Sequence, residues 1–174
     1  MAKRPSRPRV TTSPSVAVIV SRYNHSVTDA LLQGAMDEFA RRGHPPAKLE
    51  TFEAPGAFEL PTLAAGAAAS KRFDAIVALG CVIKGETSHD RYIAHAIADG
   101  ITRVSLDYRL PVAFGVLTTD TPKQARDRAG GKHGNKGAEA MAAALDTLSV
   151  LRSITAASRG TSLSRRPDKA APRS

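Results

Sequence analysis

The chain has one cysteine, no tryptophan and an aromatic content of only 5% in 174 residues. A lone Cys81 excludes an intramolecular disulfide, so the sequence carries no signature of an oxidising compartment. With so few aromatic rings, the core must be built from Ala, Val, Leu and Ile. No uninterrupted run of about 18 apolar residues occurs, so no membrane span is expected. The N-terminus is basic, but Pro5, Pro8 and Pro14 interrupt it and no long apolar stretch follows. That pattern argues against a secretory signal and leaves the cytoplasm as the expected location. His25, His44, His95 and His133 lack ligand spacing and cysteine partners, so no metal site is expected.

Acidic residues are scarce at the two ends. The net charge is +9, from 25 Lys and Arg against 16 Asp and Glu. Residues 1–14 hold Lys3, Arg4, Arg7 and Arg9 with no acid, and residues 152–174 hold six basic residues against Asp168. The stretch between them has 15 of each sign and is neutral. Basic ends can cling to polyanions through counterion release. More often they are solvated, so nucleic acid is not an expected partner. Both ends are rich in Pro, Ser, Thr and Arg and poor in large apolar residues. They are expected to be disordered tails, 1–14 and 152–174, flanking one domain over 15–151.

Within that domain, short apolar runs alternate with amphipathic stretches. Residues 15–21 (SVAVIVS), 49–54, 74–81 (DAIVALGC) and 111–118 (PVAFGVLT) are expected as strands. Helices are expected after a Ser26 or Thr28 cap and ending near Gly43, then over 58–72, 87–106, a short piece from Pro122, and 135–151. Pro61 falls in a first helical turn, where proline is tolerated. The pattern implies an α/β fold: a three-layer α/β/α sandwich around a four-stranded parallel sheet. Ligands in such sheets bind beyond the C-terminal strand ends. Those ends are the loops 22–25, 54–59, 81–89 and 118–122.

These loops hold the residue types that carry chemistry. Tyr23 suits stacking on a flat heterocycle or packing at a rim. Gly56 permits close ligand approach, and Glu59 either accepts hydrogen bonds from hydroxyls or complements a helix dipole. Gly85 and the amides after it lie at an expected helix N-terminus, a natural phosphate site to which Thr87 adds a hydroxyl. His89 lies one turn in, positioned for acid–base work. Cys81 has no local base and is expected as a small core residue. Arg126, Arg128, Lys132 and Lys136 cluster around a run whose glycines suit a backbone close to a ligand or a turn, and which reads as a phosphate clamp or a solvated basic loop. The run lacks P-loop spacing.

In order, Ser21-Arg22-Tyr23-Asn24, Pro55-Gly56-Ala57-Phe58-Glu59 and the run 79–89 (LGCVIKGETSH) resemble lumazine synthase. So do Phe114-Gly115-Val116-Leu117-Thr118-Thr119, Gln124-Ala125, Arg128-Ala129-Gly130 and Gly134-Asn135-Lys136-Gly137. The resemblance spans about 15–151 and excludes both tails. It implies a flavodoxin-like sheet. It also implies condensation of 5-amino-6-(D-ribitylamino)uracil with 3,4-dihydroxy-2-butanone 4-phosphate to 6,7-dimethyl-8-ribityllumazine, with release of phosphate, without a metal or organic cofactor. By that resemblance, Tyr23, Ala57, Phe58, Glu59, Cys81, Val82, Ile83 and Phe114 contact the uracil substrate and its ribityl chain. Glu86, Thr87 and Arg128 cradle the phosphate with Lys136 assisting, and His89 transfers protons. Tyr23 stands where the family usually has Phe or Trp.

The resemblance further implies a homopentamer with sites between subunits, or a sixty-subunit shell of twelve pentamers. It implies a functional link to riboflavin synthase. In the shared site, Arg128 and His89 are expected from one chain and Phe114 from its neighbour. The rival readings are a flavin or lumazine carrier without turnover, against which His89 and Arg128 argue, and a shell that collects polyanions on its tails.

Overall fold

The structure, a computed structural model, describes residues 13–162, with side chains described through Ala157. The alternating pattern is realised as β1 (Val16–Ser21), α1 (His25–Arg41), a 3-10 turn (Pro46–Lys48), β2 (Leu49–Ala54) and α2 (Leu60–Ala69). Then come β3 (Ala75–Ile83), α3 (His89–Tyr108), β4 (Val112–Thr119) and α4 (Pro122–Asp127). A small pair, β5 (Ala129–Gly131) and β6 (Gly134–Asn135), precedes α5 (Lys136–Ser162).

The main sheet has four strands in the order β2-β1-β3-β4, and every pair in it is parallel. All of β1 is buried, as is all of β3 up to Ile83. A strand buried on both faces reads as a near-continuous apolar run, and in β1 the buried polar residue is Ser21 at its C-terminal end. One face sends Val16, Val18, Val20, Val77 and Leu79 toward α1 and α5, where Leu31, Phe39, Met141 and Leu145 complete a core layer. The other sends Ala17, Ile19, Ile76 and Ala78 toward α2 and α3, against Leu60, Ala64, Ile97 and Ile101. β2 is an edge strand with Glu50, Thr51, Phe52 and Glu53 exposed. Edge charge of this kind blunts unwanted strand pairing.

α1 and α5 meet almost backbone to backbone. A Cβ at Gly137 would lie 1.9 Å from the Leu31 carbonyl oxygen, so only glycine fits there. Asn135 locks the junction. Its Nδ2 donates to the Ala30 carbonyl at 2.8 Å, and its Oδ1 accepts from the backbone N–H groups of Gly137 and Ala138 at 2.8 and 3.2 Å. The Asn135-Lys136-Gly137 run is thus a helix cap and a packing device. A charged cluster closes the other end of the contact. Glu38, 8% exposed, accepts from Arg41 and Arg42, and Arg42 also donates to Asp146 of α5 at 2.7 Å.

Several expected boundaries move. α1 begins at His25 behind Asn24, whose side chain makes no cap bond, while Thr28 lies buried inside the helix. The expected Ser26 or Thr28 cap is therefore wrong. The tertiary hydrogen bond of the Asn24 amide, described below, sets the start instead. α5 runs past residue 151 to Ser162, into the stretch expected as tail. A β5–β6 pair, too short to give an apolar period in the sequence, stands after α4, and Gly130 (φ 112°) and Gly134 (φ 76°) make its turn. The rest of both expected tails lies outside the described residues. One helical stretch, Lys136–Ala157, is long and apolar enough to cross a membrane by length and averaged hydropathy, although no single uninterrupted run suggested it. Ala140, Met141, Ala144, Leu145 and Leu148 of that stretch are buried against the sheet and α1.

Gly137→Ala is expected to destabilise by about 3 kcal/mol or more through overpacking against α1. Gly66→Ala, where an added Cβ meets nothing within 4 Å, should instead stabilise by about 0.5–1 kcal/mol. Urea denaturation of the pair checks both signs. The Arg41 hydrogen bond holds the Glu38 carboxyl below the usual glutamate range against the opposing effect of burial, with Arg42 adding to the lowering. A carboxyl lowered in the folded state stabilises at neutral pH, and that stability is lost as pH falls through its folded value. Glu38→Gln should lower neutral-pH stability and flatten the acid limb of a melting-temperature profile. An unchanged acid limb would sink this assignment.

Candidate active site

In the order β2-β1-β3-β4, the chain leaves β1 toward one edge and returns on β1's other side as β3. The C-terminal ends of β1 and β3 therefore flank a topological switch point, where open α/β sheets leave a crevice. A cavity of about 380 Å³ lies here. Tyr23 and Asn24 line it from the end of β1, Gly56 to Glu59 from the end of β2, Cys81 to Ile83 from the end of β3, and His89 and Ile93 from α3.

Local geometry explains these placements. Asn24 adopts left-handed backbone geometry (φ 59°, ψ 43°), which asparagine tolerates better than most residues. Its side-chain amide donates to the Cys81 carbonyl at 2.9 Å, tying the β1–α1 turn to the end of β3. That tie leaves Tyr23 on the rim, 72% exposed. At Gly56, a Cβ would come within 2.8 Å of a Glu59 carboxylate oxygen. Glycine therefore lets Glu59 fold back beneath the turn at the start of α2. Ala57 is buried, while Phe58 presents an exposed ring. Burial pushes the Cys81 thiol up to about 11, so at neutral pH it stays protonated and inert as a nucleophile.

The loop 84–88 is exposed. Lys84 N–H donates to the Thr119 carbonyl at 2.8 Å, which pins the loop's start to the end of β4. Ser88, the residue before α3, makes no side-chain cap bond. The leading amides of a 20-residue helix thus have no side-chain partner at this cap, the arrangement that receives anions. His89 Nδ1 is 2.5 Å from Thr87 Oγ1, and its ring lies over Gly85, where a Cβ would be 3.0 Å from Cε1. With Nδ1 engaged, Nε2 remains for a ligand.

Not every expected residue joins this cavity within one chain. Glu86 and Thr87 sit on the exposed loop beside it. Arg128 lines a second cavity of about 280 Å³, with Asp90, Thr118, Thr119, Asp120 and Gln124. The first turn of α3 separates the two, with His89 on one side and Asp90 on the other. Phe114, 40% exposed on the outer strand β4, lines a third groove of about 250 Å³ with Ala98, Ile101 and Leu106. Lys136 opens α5 and pairs with Glu139.

Sequence reasoning does not single out Ile93, which lines the first cavity, or Asp90, which lines the second, and it has Gln124 only within a resemblance motif. The side-chain oxygen of Gln124 accepts from the backbone N–H groups of Asp120 and Thr121, while Thr121 Oγ1 accepts from Gln124 N–H. The Thr121-Pro122-Lys123-Gln124 spacing was a readable capping-box signal. Nothing in the sequence marked Asp90 as buried.

A profile described as 6,7-dimethyl-8-ribityllumazine synthase matches residues 13–152. Proteins of that name share comparable identity with the chain. The one from Edwardsiella ictaluri is 48% identical over 142 residues, 81% of this chain and 91% of its own length. One from Thermus thermophilus is 46% identical over 140 residues, 80% and 89% of the two chains. The one from Deinococcus deserti is 49% identical over 138 residues, 79% and 88%. A four-stranded parallel sheet with a pocket at its switch point, matched by such relatives over most of its length, shows that the chain belongs to the 6,7-dimethyl-8-ribityllumazine synthase family.

Proposed function

We propose that this chain condenses 5-amino-6-(D-ribitylamino)uracil with 3,4-dihydroxy-2-butanone 4-phosphate to 6,7-dimethyl-8-ribityllumazine. The observation that carries this reading is the convergence of Tyr23, Ala57, Phe58, Glu59, Cys81, Val82, Ile83 and His89 on one cavity, beside the uncapped start of α3. The cavity supplies flat apolar surface and Glu59 as an acceptor for a ribityl-bearing pyrimidine. Tyr23 keeps the ring for stacking and adds a hydroxyl at the open rim.

The chemistry follows from these groups. The 5-amino nitrogen attacks the ketone carbon and one water leaves, giving an imine. The phosphate dianion is then expelled from the neighbouring carbon chain, and the ribityl-bearing nitrogen closes the ring with loss of a second water. Amides at residues 86–88 with Thr87, and Arg128 with help from Lys136, stabilise the leaving phosphate. His89 Nε2 relays protons, worth about 10²–10⁴-fold. Alignment of the two substrates supplies much of the rest.

The site is completed between subunits of a homopentamer. The support for this is Phe114. It faces outward from an edge strand and away from its own chain's cavity, so it is free to cover a neighbour's substrate. Arg128 borders the same first turn of α3 as His89, in keeping with both acting from one chain. The catalytic unit is 15–151, with the basic ends dispensable. The product passes to riboflavin synthase, and the small soluble substrates are in keeping with a cytoplasmic enzyme.

Mixing the two substrates with the protein should produce lumazine absorbance; binding without product would favour a carrier. His89→Ala should slow turnover about 10²-fold or more while sparing assembly, and unchanged turnover would remove His89 from its role. Arg128→Ala should raise KM for the phosphate substrate most. An effect confined to the uracil substrate would contradict its placement. Light scattering should show a pentamer or a multiple of it, and a monomer would end the shared-site reading.

A further inference from the structure

We propose that Asp90 is a positioning residue that orients Arg128 for phosphate, an inference that rests on the phosphate role given to Arg128 above. Asp90 is the second residue of α3 and 6% exposed. Its Oδ1 is fully buried without a hydrogen-bond partner. A buried carboxylate oxygen left unpaired is costly. Its place in a helix's first turn recovers only part of that cost, because the dipole contribution is smaller than the desolvation it opposes. Such an atom therefore points to a donor that it meets in the working state.

The donor stands across the same cavity. Among the described residues lining it, Arg128 is the cation, and Asp120, Thr118, Thr119 and Gln124 complete the wall. Arg128 is held loosely: Nη1 reaches the Gln124 carbonyl at 3.4 Å, longer than an ordinary hydrogen bond. The other acid there, Asp120, is exposed, and a solvated carboxylate gains little from pairing. Gln124 is committed to its own capping box, and Thr119 Oγ1 donates to the Thr121 carbonyl. Asp90 is left as the strong acceptor.

A guanidinium has five N–H donors in a planar fork. Swung across the cavity, Arg128 places one edge on Asp90 and turns its remaining donors toward the start of α3, where the amides of 86–88 stand ready for phosphate. Asp90 thereby converts a loosely held arginine into an oriented one and reduces the ordering cost of binding. His89, on the other side of the same turn, keeps its reach into the substrate cavity, so phosphate orientation and proton transfer act from one helical turn on two sides.

The test compares Asp90→Asn, Arg128→Ala and the double variant in the assembled full-length enzyme. Inorganic phosphate serves as a competitive probe beside steady-state kinetics for both substrates and thermal melting. Asp90→Asn should raise the phosphate inhibition constant and the KM for the phosphate substrate about five- to tenfold, within the range for contacting pairs. The uracil KM should stay within about twofold, and the melting temperature should hold or rise because an uncompensated buried charge is gone. In the Arg128→Ala background, Asp90→Asn should add nothing. Unchanged or tighter phosphate binding, an equal increment in both backgrounds, or a lowered melting temperature with parallel loss in all kinetic constants overturns the proposal. If Arg128→Ala itself leaves phosphate inhibition unchanged, the phosphate placement falls and this inference with it. If only Asp90→Asn is silent, the placement stands and the inference alone fails.

Discussion

Two strands with no polar face organise this protein. β1 is buried along its whole length and β3 along nearly all of its own. Neither can border water, so helices must cover both sides of the sheet, and parallel pairing through helical crossovers achieves that. Parallel pairing gathers every strand's C-terminal end at one rim. Reversal of strand order at β1 then opens a crevice at that rim. The position of the cavity is thus a consequence of how the core is buried.

Rigidity at the rim comes from a few contacts distant in sequence. The Asn24 amide joins the β1 turn to the Cys81 carbonyl, and the Lys84 amide joins the α3 approach to β4. On the opposite layer, Gly137 and Asn135 let α5 seat against α1. Catalytic precision depends on such supports, because groups displaced by an ångström lose alignment. The first turn of α3 stands between two cavities, with His89 lining the one at the switch point and Asp90 lining that of Arg128.

The fold was largely legible because its signal is local and periodic. The apolar runs 15–21 and 74–81 could only be buried strands, and they became β1 and β3 to within two residues. Of the four loops flagged at the strand ends, 22–25, 54–59 and 81–89 line the cavity, while 118–122 lines that of Arg128. Errors arose where distant groups intervene. The start of α1 depends on Asn24 reaching Cys81, 57 positions away, so a local search for Ser26 or Thr28 caps missed it. The glycines of the run 128–137 suited either a close ligand or a turn; Gly130 and Gly134 turn the β5–β6 hairpin, and Gly137 admits the backbone of α1, a contact no local pattern shows.

The sequence by itself determined the class of fold, the end of the sheet where the cavity lies, the inert character of Cys81 and the family resemblance. Each depends on composition, period or an ordered set of short motifs, all of which survive projection onto one dimension. Only the tertiary structure decided that Phe114 faces away from its own chain's cavity, that Arg128 borders a separate one, and that Asp90 is buried with Oδ1 unpaired. Those facts depend on the direction in which a side chain points and on which distant strand end stands opposite. Burial and pairing are properties of neighbours in space, and a residue's neighbours in sequence do not specify them.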